Sequence, residues 1–220
     1  MLMRVYHSFY CIRSVFEASY FKESGRMAQP LFMLVSFVLV LFCGGQDWTA
    51  PDFCHQQQCP QYSVVETNQD FETRLYVSTE WITTKLESGE IADLMAARSR
   101  LADYCKRQSD AGYKIPVDTW PVLITITDDA TQDLSVSWFV PPNTTKPENT
   151  DPSVTWQSRP EGTVYVRVFH GPPSIKDGQE NARMLREALV QAGKTFNPNT
   201  YSGAGYDPIF SVTHHNEIWI

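Results

Sequence analysis

The chain has 220 residues, 42% hydrophobic and 13% aromatic, with a formal net charge of −7. That is enough to bury one substantial core and barely enough for two. Residues 1–26 carry Arg4, Arg13, Lys22 and Arg26 against Glu17 and Glu23, and residues 27–45 carry no charge, so the first segment is +2 and the remainder −9. A body of that sign repels phosphate, which excludes nucleic acid as a partner.

From Pro30 to Phe42 the sequence PLFMLVSFVLVLF is almost wholly apolar and runs into Cys43-Gly44-Gly45. The run is shorter than the roughly 20 apolar residues that cross a bilayer as a helix. Arg26-Met27 ahead, an apolar centre and small residues behind give residues 27–45 the layout of a secretory signal peptide whose natural start is Met27. Residues 1–26 then read as a leader from a rarely used upstream start, with a mitochondrial-type presequence as the alternative. Cleavage near Gly45 leaves no membrane anchor and a secreted chain that begins with a short extension, residues 46–61. Cys54 and Cys59 lie in that extension, and Cys105 makes the count odd. Export favours joining Cys54 to Cys59 and leaving Cys105 as a helix thiol, while pairing of Cys105 with either remains open.

Alternation predicts strands over Tyr62–Thr67, Phe71–Val77 and Trp81–Leu86, with Asn68-Gln69-Asp70 as a hairpin turn. After Ser88 the residues Ile91, Leu94, Met95, Leu101, Ala102 and Cys105 recur at helical spacing, and Lys106-Arg107 suit a helix C-terminus. Gly112 resets the chain. Strands over Val122–Thr127 and Leu134–Val140 follow, separated by a turn at Asp128-Asp129. Pro141 to Pro152 is a long surface loop that contains the N-glycosylation acceptor Asn143-Thr144-Thr145. Strands over Val154–Gln157 and Thr163–Phe169 lead to a second helix, capped by Asp177 with Glu180, that aligns Met184, Leu185, Ala188 and Leu189 and stops at Gly193. Tyr206-Asp207-Pro208 turns into a last strand, Asn216-Glu217-Ile218-Trp219-Ile220. Each half is strands, one amphipathic helix, then strands, a pseudo-repeat that predicts an α+β fold with both helices against one curved sheet.

Several stretches resemble the SOUL heme-binding protein family. They are ETNQDFETRLYVSTEWITT over residues 66–84, Lys114-Ile115-Pro116-Val117 leading into Pro121-Val122-Leu123, Val140-Pro141, Tyr201 to Pro208, and Asn216-Glu217-Ile218-Trp219. The resemblance covers about residues 60–220. It implies a distorted β-barrel flanked by two helices, with relatives among bacterial small-molecule effector-binding domains, and a final strand that closes the barrel. It also implies noncovalent, non-catalytic binding of heme and related tetrapyrroles in a shallow apolar depression beside the first helix. The leader and the Cys54/Cys59 pair look like an exported branch. Two departures stand out: Asp118-Thr119-Trp120 replaces a Met-Thr-Ala-like stretch, and Met95 and Asp103 occupy positions that are basic in some heme-binding members.

Heme asks a protein for apolar area, for cations or donors toward two propionates, and optionally for an axial ligand. On the first helix Leu94, Met95 and Leu101 would supply the apolar surface, and Arg98 at the edge of that stripe would meet a propionate. The same stripe reads equally well as core, with Arg98 reaching to water. No axial ligand is assigned: His55, His170, His214 and His215 each read as surface or capping residues. Cys-x-x-Cys-His is absent, and Cys54, His55 and Cys59 fall short of the four ligands of a structural zinc site. Catalytic motifs are missing too: no Gly-rich phosphate loop, no His-Glu-x-x-His and no Gly-x-Ser-x-Gly. Cys105 on an apolar helix face reads as packing. The expectation is therefore a monomeric porphyrin-binding module and not an enzyme, with a protein-interaction or signalling module on the same fold as the alternative.

Overall fold

The computed structural model describes residues 48–117, 119–128, 133–148, 151–208 and 210–220. The leader, the signal segment, Asp118 and Asp129 of the expected turn lie outside them. Strand β1 (Tyr62–Thr67) pairs antiparallel with β2 (Glu72–Tyr76). Asn68 shapes the turn between them, its Oδ1 accepting from the N–H groups of Asp70 and Phe71 at 2.9 Å each, an Asx turn. β3 (Thr79–Leu86) then runs toward helix α1 (Ile91–Asp110). Asp93 Oδ2 accepts from the N–H groups of Glu87 and Ser88 and ties the first turn to the chain entering it. The helix ends at Gly112, whose φ of +92° suits glycine.

β4 (Val122–Thr127) and β5 (Asp133–Val140) complete the first half. β6 (Thr155–Arg159), β7 (Gly162–His170), helix α2 (Ile175–Gln191), β8 (Thr200–Gly205) and β9 (His215–Trp219) form the second. The cap of α2 is Ser174, one turn ahead of the expected Asp177. Its Oγ accepts from the Asp177 N–H at 3.0 Å and donates to Asp177 Oδ2 at 2.6 Å. The sequence Ser-x-x-Asp is itself a capping box, so two overlapping start signals compete and the earlier one wins.

All nine strands join one antiparallel sheet in the order β1-β2-β7-β9-β8-β4-β5-β3-β6. Ala97, Leu101 and Tyr104 of α1 pack with Ile82, Val136 and Trp138. Leu185 and Leu189 of α2 pack with Ile126, Tyr201 and Ile218. Ile124 and Leu134 touch both clusters, so both helices cover the same face. The other face is concave. A flat sheet would put β6 roughly 14 Å from β4, three strand spacings away, yet Arg159 Nη2 of β6 lies 3.4 Å from Thr125 Oγ1 of β4. The sheet is therefore curled into a half-barrel.

The pseudo-repeat is plain in the topology. β3-α1-β4-β5 and β7-α2-β8-β9 have the same order in the sheet, and the halves meet at β4 and β8. β2 pairs with β7 and β6 with β3, so the strand leading each half is added to the other half. Two further points differ from the sequence reading. Strand β8 was not anticipated, and the last strand does not close a barrel: β9 lies inside the sheet, between β7 and β8.

Candidate functional site

The helical stripe proposed for a tetrapyrrole divides between two environments. Leu101 is 0% exposed and belongs to the core beneath α1, and Leu94 is partly buried against the same cluster. Met95, at 43% exposed, and Arg98 face solvent instead, with Ile91, 74% exposed, one turn before Met95. Residues three and four apart on a helix are neighbours. The outward flank therefore runs Ile91, Met95, Arg98, with the rim of Leu94 beside it, while Leu101 is withdrawn into the protein. Periodicity identified an apolar stripe but could not say which of its edges the sheet would take. Cys105 is a buried free thiol, and burial pushes its pKa up to about 11, as expected of packing.

The concave face holds a second arrangement, which sequence reading passed over. Glu217 of β9 is 0% exposed. Its Oε1 accepts from Arg74 Nη1 at 2.9 Å and from His215 Nε2 at 3.0 Å, and its Oε2 from Trp219 Nε1 at 2.7 Å and the Tyr206 hydroxyl at 3.0 Å. Burial alone would raise the Glu217 carboxyl. The His215 hydrogen bond, the Arg74 charge and the Trp219 donor outweigh it and hold the carboxyl below its ordinary value. Arg74 also donates from Nε to Glu72 at 2.8 Å and stacks over Tyr62, 4.4 Å from the ring centroid. Burial and the nearby Glu217 charge raise the Tyr206 hydroxyl well above its usual range. Four donors on one carboxylate leave it little capacity to act on anything else, so this group organises the barrel interior.

Aromatic rings continue from that centre across the concave face: Tyr76 stands 4.8 Å from Trp219, Trp219 6.4 Å from Trp81, and Trp81 5.6 Å from Phe139. The N-terminal extension covers one end. Cys54 and Cys59 are joined, as expected, in a small loop that starts with a short 3-10 turn, Asp52–Cys54. Phe53 stacks on His215 with centroids 4.0 Å apart and planes 4° from parallel, and meets Tyr206 edge-on at 4.7 Å. His55 Nε2 lies 3.0 Å from Asp207 Oδ1, while Asp207 Oδ2 accepts from the His215 N–H at 2.7 Å.

The other histidines are engaged locally: His170 Nδ1 lies 3.2 Å from the His214 carbonyl, and His214 is buried. Among the described residues no group of His, Cys, Asp and Glu could hold a metal ion. Among them, too, no helix is long and apolar enough to cross a membrane. Asn143 is exposed in a turn after β5 at φ +67°.

Comparison with known proteins adds to this geometry. The family model described as SOUL heme-binding protein matches residues 57–220. The chain is 27% identical over 158 residues to heme-binding protein 2 of Homo sapiens and 28% identical over 160 residues to heme-binding protein 2 of Mus musculus, covering 68% of this chain and 77% of each relative. In fold it resembles a chain in the cryo-EM structure of the EcmrR–DNA complex, with a TM-score of 0.50 at 12% identity, covering 67% of this chain and 55% of that one. The likeness is of fold alone, and this chain spans about half the length of that EcmrR chain. With the model matched across the whole curled sheet and both helices, the chain belongs to the SOUL heme-binding protein family.

Proposed function

We propose that the protein binds heme or a related tetrapyrrole noncovalently, without catalysing a reaction on it, on the outward flank of α1. One observation carries the placement: Ile91 and Met95 present apolar surface to solvent and Arg98 stands one turn further along the same flank. The macrocycle lies on Ile91, Met95 and the rim of Leu94. A propionate takes the Arg98 guanidinium, whose forked donors match a carboxylate. Leu101 supports the helix from beneath. With His170 and His215 engaged locally, the protein provides a surface for the porphyrin and leaves the iron without an assigned ligand.

The binding serves transport, scavenging or buffering by a monomer outside the cell. The apolar run with small residues behind it, the disulfide of the extension and the exposed Asn143 acceptor support export. Hemin titration tests the site. A saturable Soret shift that weakens about tenfold, roughly 1.4 kcal/mol, in Met95→Asp and in Arg98→Glu supports it. Nonsaturating adsorption that ignores both substitutions refutes it and favours an interaction module.

A further inference from the structure

The pseudo-two-fold pairs β2 with β6, and each of these strands carries one arginine on the concave face. Arg74 of β2 stands over the Tyr62 ring and has Glu217 and Glu72 as partners. Arg159 of β6 stands over the Trp81 ring, 5.2 Å from its centroid, and has no carboxylate partner among the described residues. Its Nη2 points to Thr125 Oγ1 at 3.4 Å, a long hydrogen bond. That hydroxyl is already matched with Ser202 Oγ at 2.8 Å. No other N–H of the Arg159 guanidinium has a protein acceptor among the described residues.

The side chain is half-buried, and burial lowers its pKa, with no neighbouring charge acting against that. A partly desolvated cation without a counter-charge is less well compensated than one paired with a carboxylate. Here the same place in the two halves is satisfied by the protein's own carboxylates in one and left open in the other. The guanidinium carbon stands 5.2 Å from the Trp81 ring centroid, and the N–H groups it does not direct at Thr125 can meet a carboxylate. Trp81 is fully buried beneath it, held by its Nε1 donating to Thr79 Oγ1 at 2.9 Å.

From these observations we infer that Arg159, with Trp81 beneath it and Thr125 beside it, is the anchor of a second ligand site, which takes a small organic monoanion such as a carboxylate. The site lies on the concave face, on the opposite side of the sheet from α1, and does not depend on tetrapyrrole binding. The carboxylate pairs with the Arg159 N–H groups.

The Trp81 indole N–H reports on this site and can be assigned by Trp81→Phe. Full-length protein is titrated with benzoate and, separately, hexanoate, with benzyl alcohol as the neutral control, while the indole resonance is followed. A saturable shift is expected with both carboxylates and not with the alcohol, weakened at least tenfold in Arg159→Gln, partly retained in Arg159→Lys and unchanged in Arg98→Gln. Equal affinity in Arg159→Gln, or no saturable shift in the wild type, overturns the assignment. Thermal unfolding gives a second reading: removing an unpaired guanidinium leaves the melting temperature of Arg159→Gln unchanged or higher, and a fall of several degrees would make the residue structural and also overturn the proposal. Hemin binding of Arg159→Gln stays as in the wild type, which separates this outcome from failure of the α1 site.

Discussion

Replacing Arg74 with methionine keeps most of the side-chain volume and removes the charge that Glu217 faces. The pair is enclosed, with the Arg74 side chain 3% exposed and that of Glu217 0%. After the substitution Glu217 keeps three donors, from His215, Tyr206 and Trp219, but has lost its compensating guanidinium inside the barrel. Breaking such a buried pair from one side costs about 3–5 kcal/mol. For a domain of this size that lowers the melting temperature by roughly 6–20 °C. Glu217→Gln is milder, because Arg74 keeps Glu72. The double variant Arg74→Met/Glu217→Gln is more stable than the sum of the single losses by at least about 1.5 kcal/mol. Urea denaturation followed by near-UV circular dichroism, which sees the surrounding aromatic rings, measures all four proteins. A cost below about 1 kcal/mol for Arg74→Met, or strict additivity in the double variant, would refute this account. The pH dependence gives a second arm. The Glu217 carboxyl is depressed in the folded protein from its ordinary 4.5, so between that value and its lower folded one the unfolded chain holds more protons. The contribution of Glu217 to stability is therefore full above about pH 4.5 and is lost as the pH falls through the folded value. Glu217→Gln makes that acid loss shallower.

Two further outcomes follow from the packing. Cys54→Ser/Cys59→Ser removes a short loop constraint worth roughly 2 kcal/mol and loosens Phe53 from His215; reductant should lower the melting temperature of the wild type to that of the variant and leave the variant unchanged. On α1, Leu101→Ala costs about 2–5 kcal/mol while Met95→Ala stays within roughly 0.5 kcal/mol, measured by urea midpoints; equal costs would mean that the stripe does not divide between core and surface.

Strands with branched residues and clear alternation were legible from sequence. β1 and β4 have the expected limits, Tyr62–Thr67 and Val122–Thr127. β8 was not legible, because Ser202-Gly203-Ala204-Gly205 has almost no side chain to express a preference; it becomes a strand by pairing with β4 and β9. The family was readable from Tyr206-Asp207-Pro208 and Asn216 to Trp219, and the arrangement around Glu217 explains what those residues do: Tyr206 and Trp219 both donate to the Glu217 carboxylate. Arg74, the remaining partner, stands 143 residues away in the chain, and no local pattern links the two. Arg159 was equally silent, since an arginine on an edge strand ordinarily reads as solvated. Only the curl of the sheet turns it inward.

The exchange of leading strands between the halves has a consequence for how the domain holds together. Because β2 completes the second half and β6 the first, neither half is a closed body. Removing residues 62–140 would strip β7 of its outer neighbour as well as deleting the first half, and removing residues 155–220 would do the same to β3. The domain is therefore expected to melt as one cooperative unit, with neither half folding alone. Through these two exchanged strands the pseudo-repeat is not a pair of separable halves.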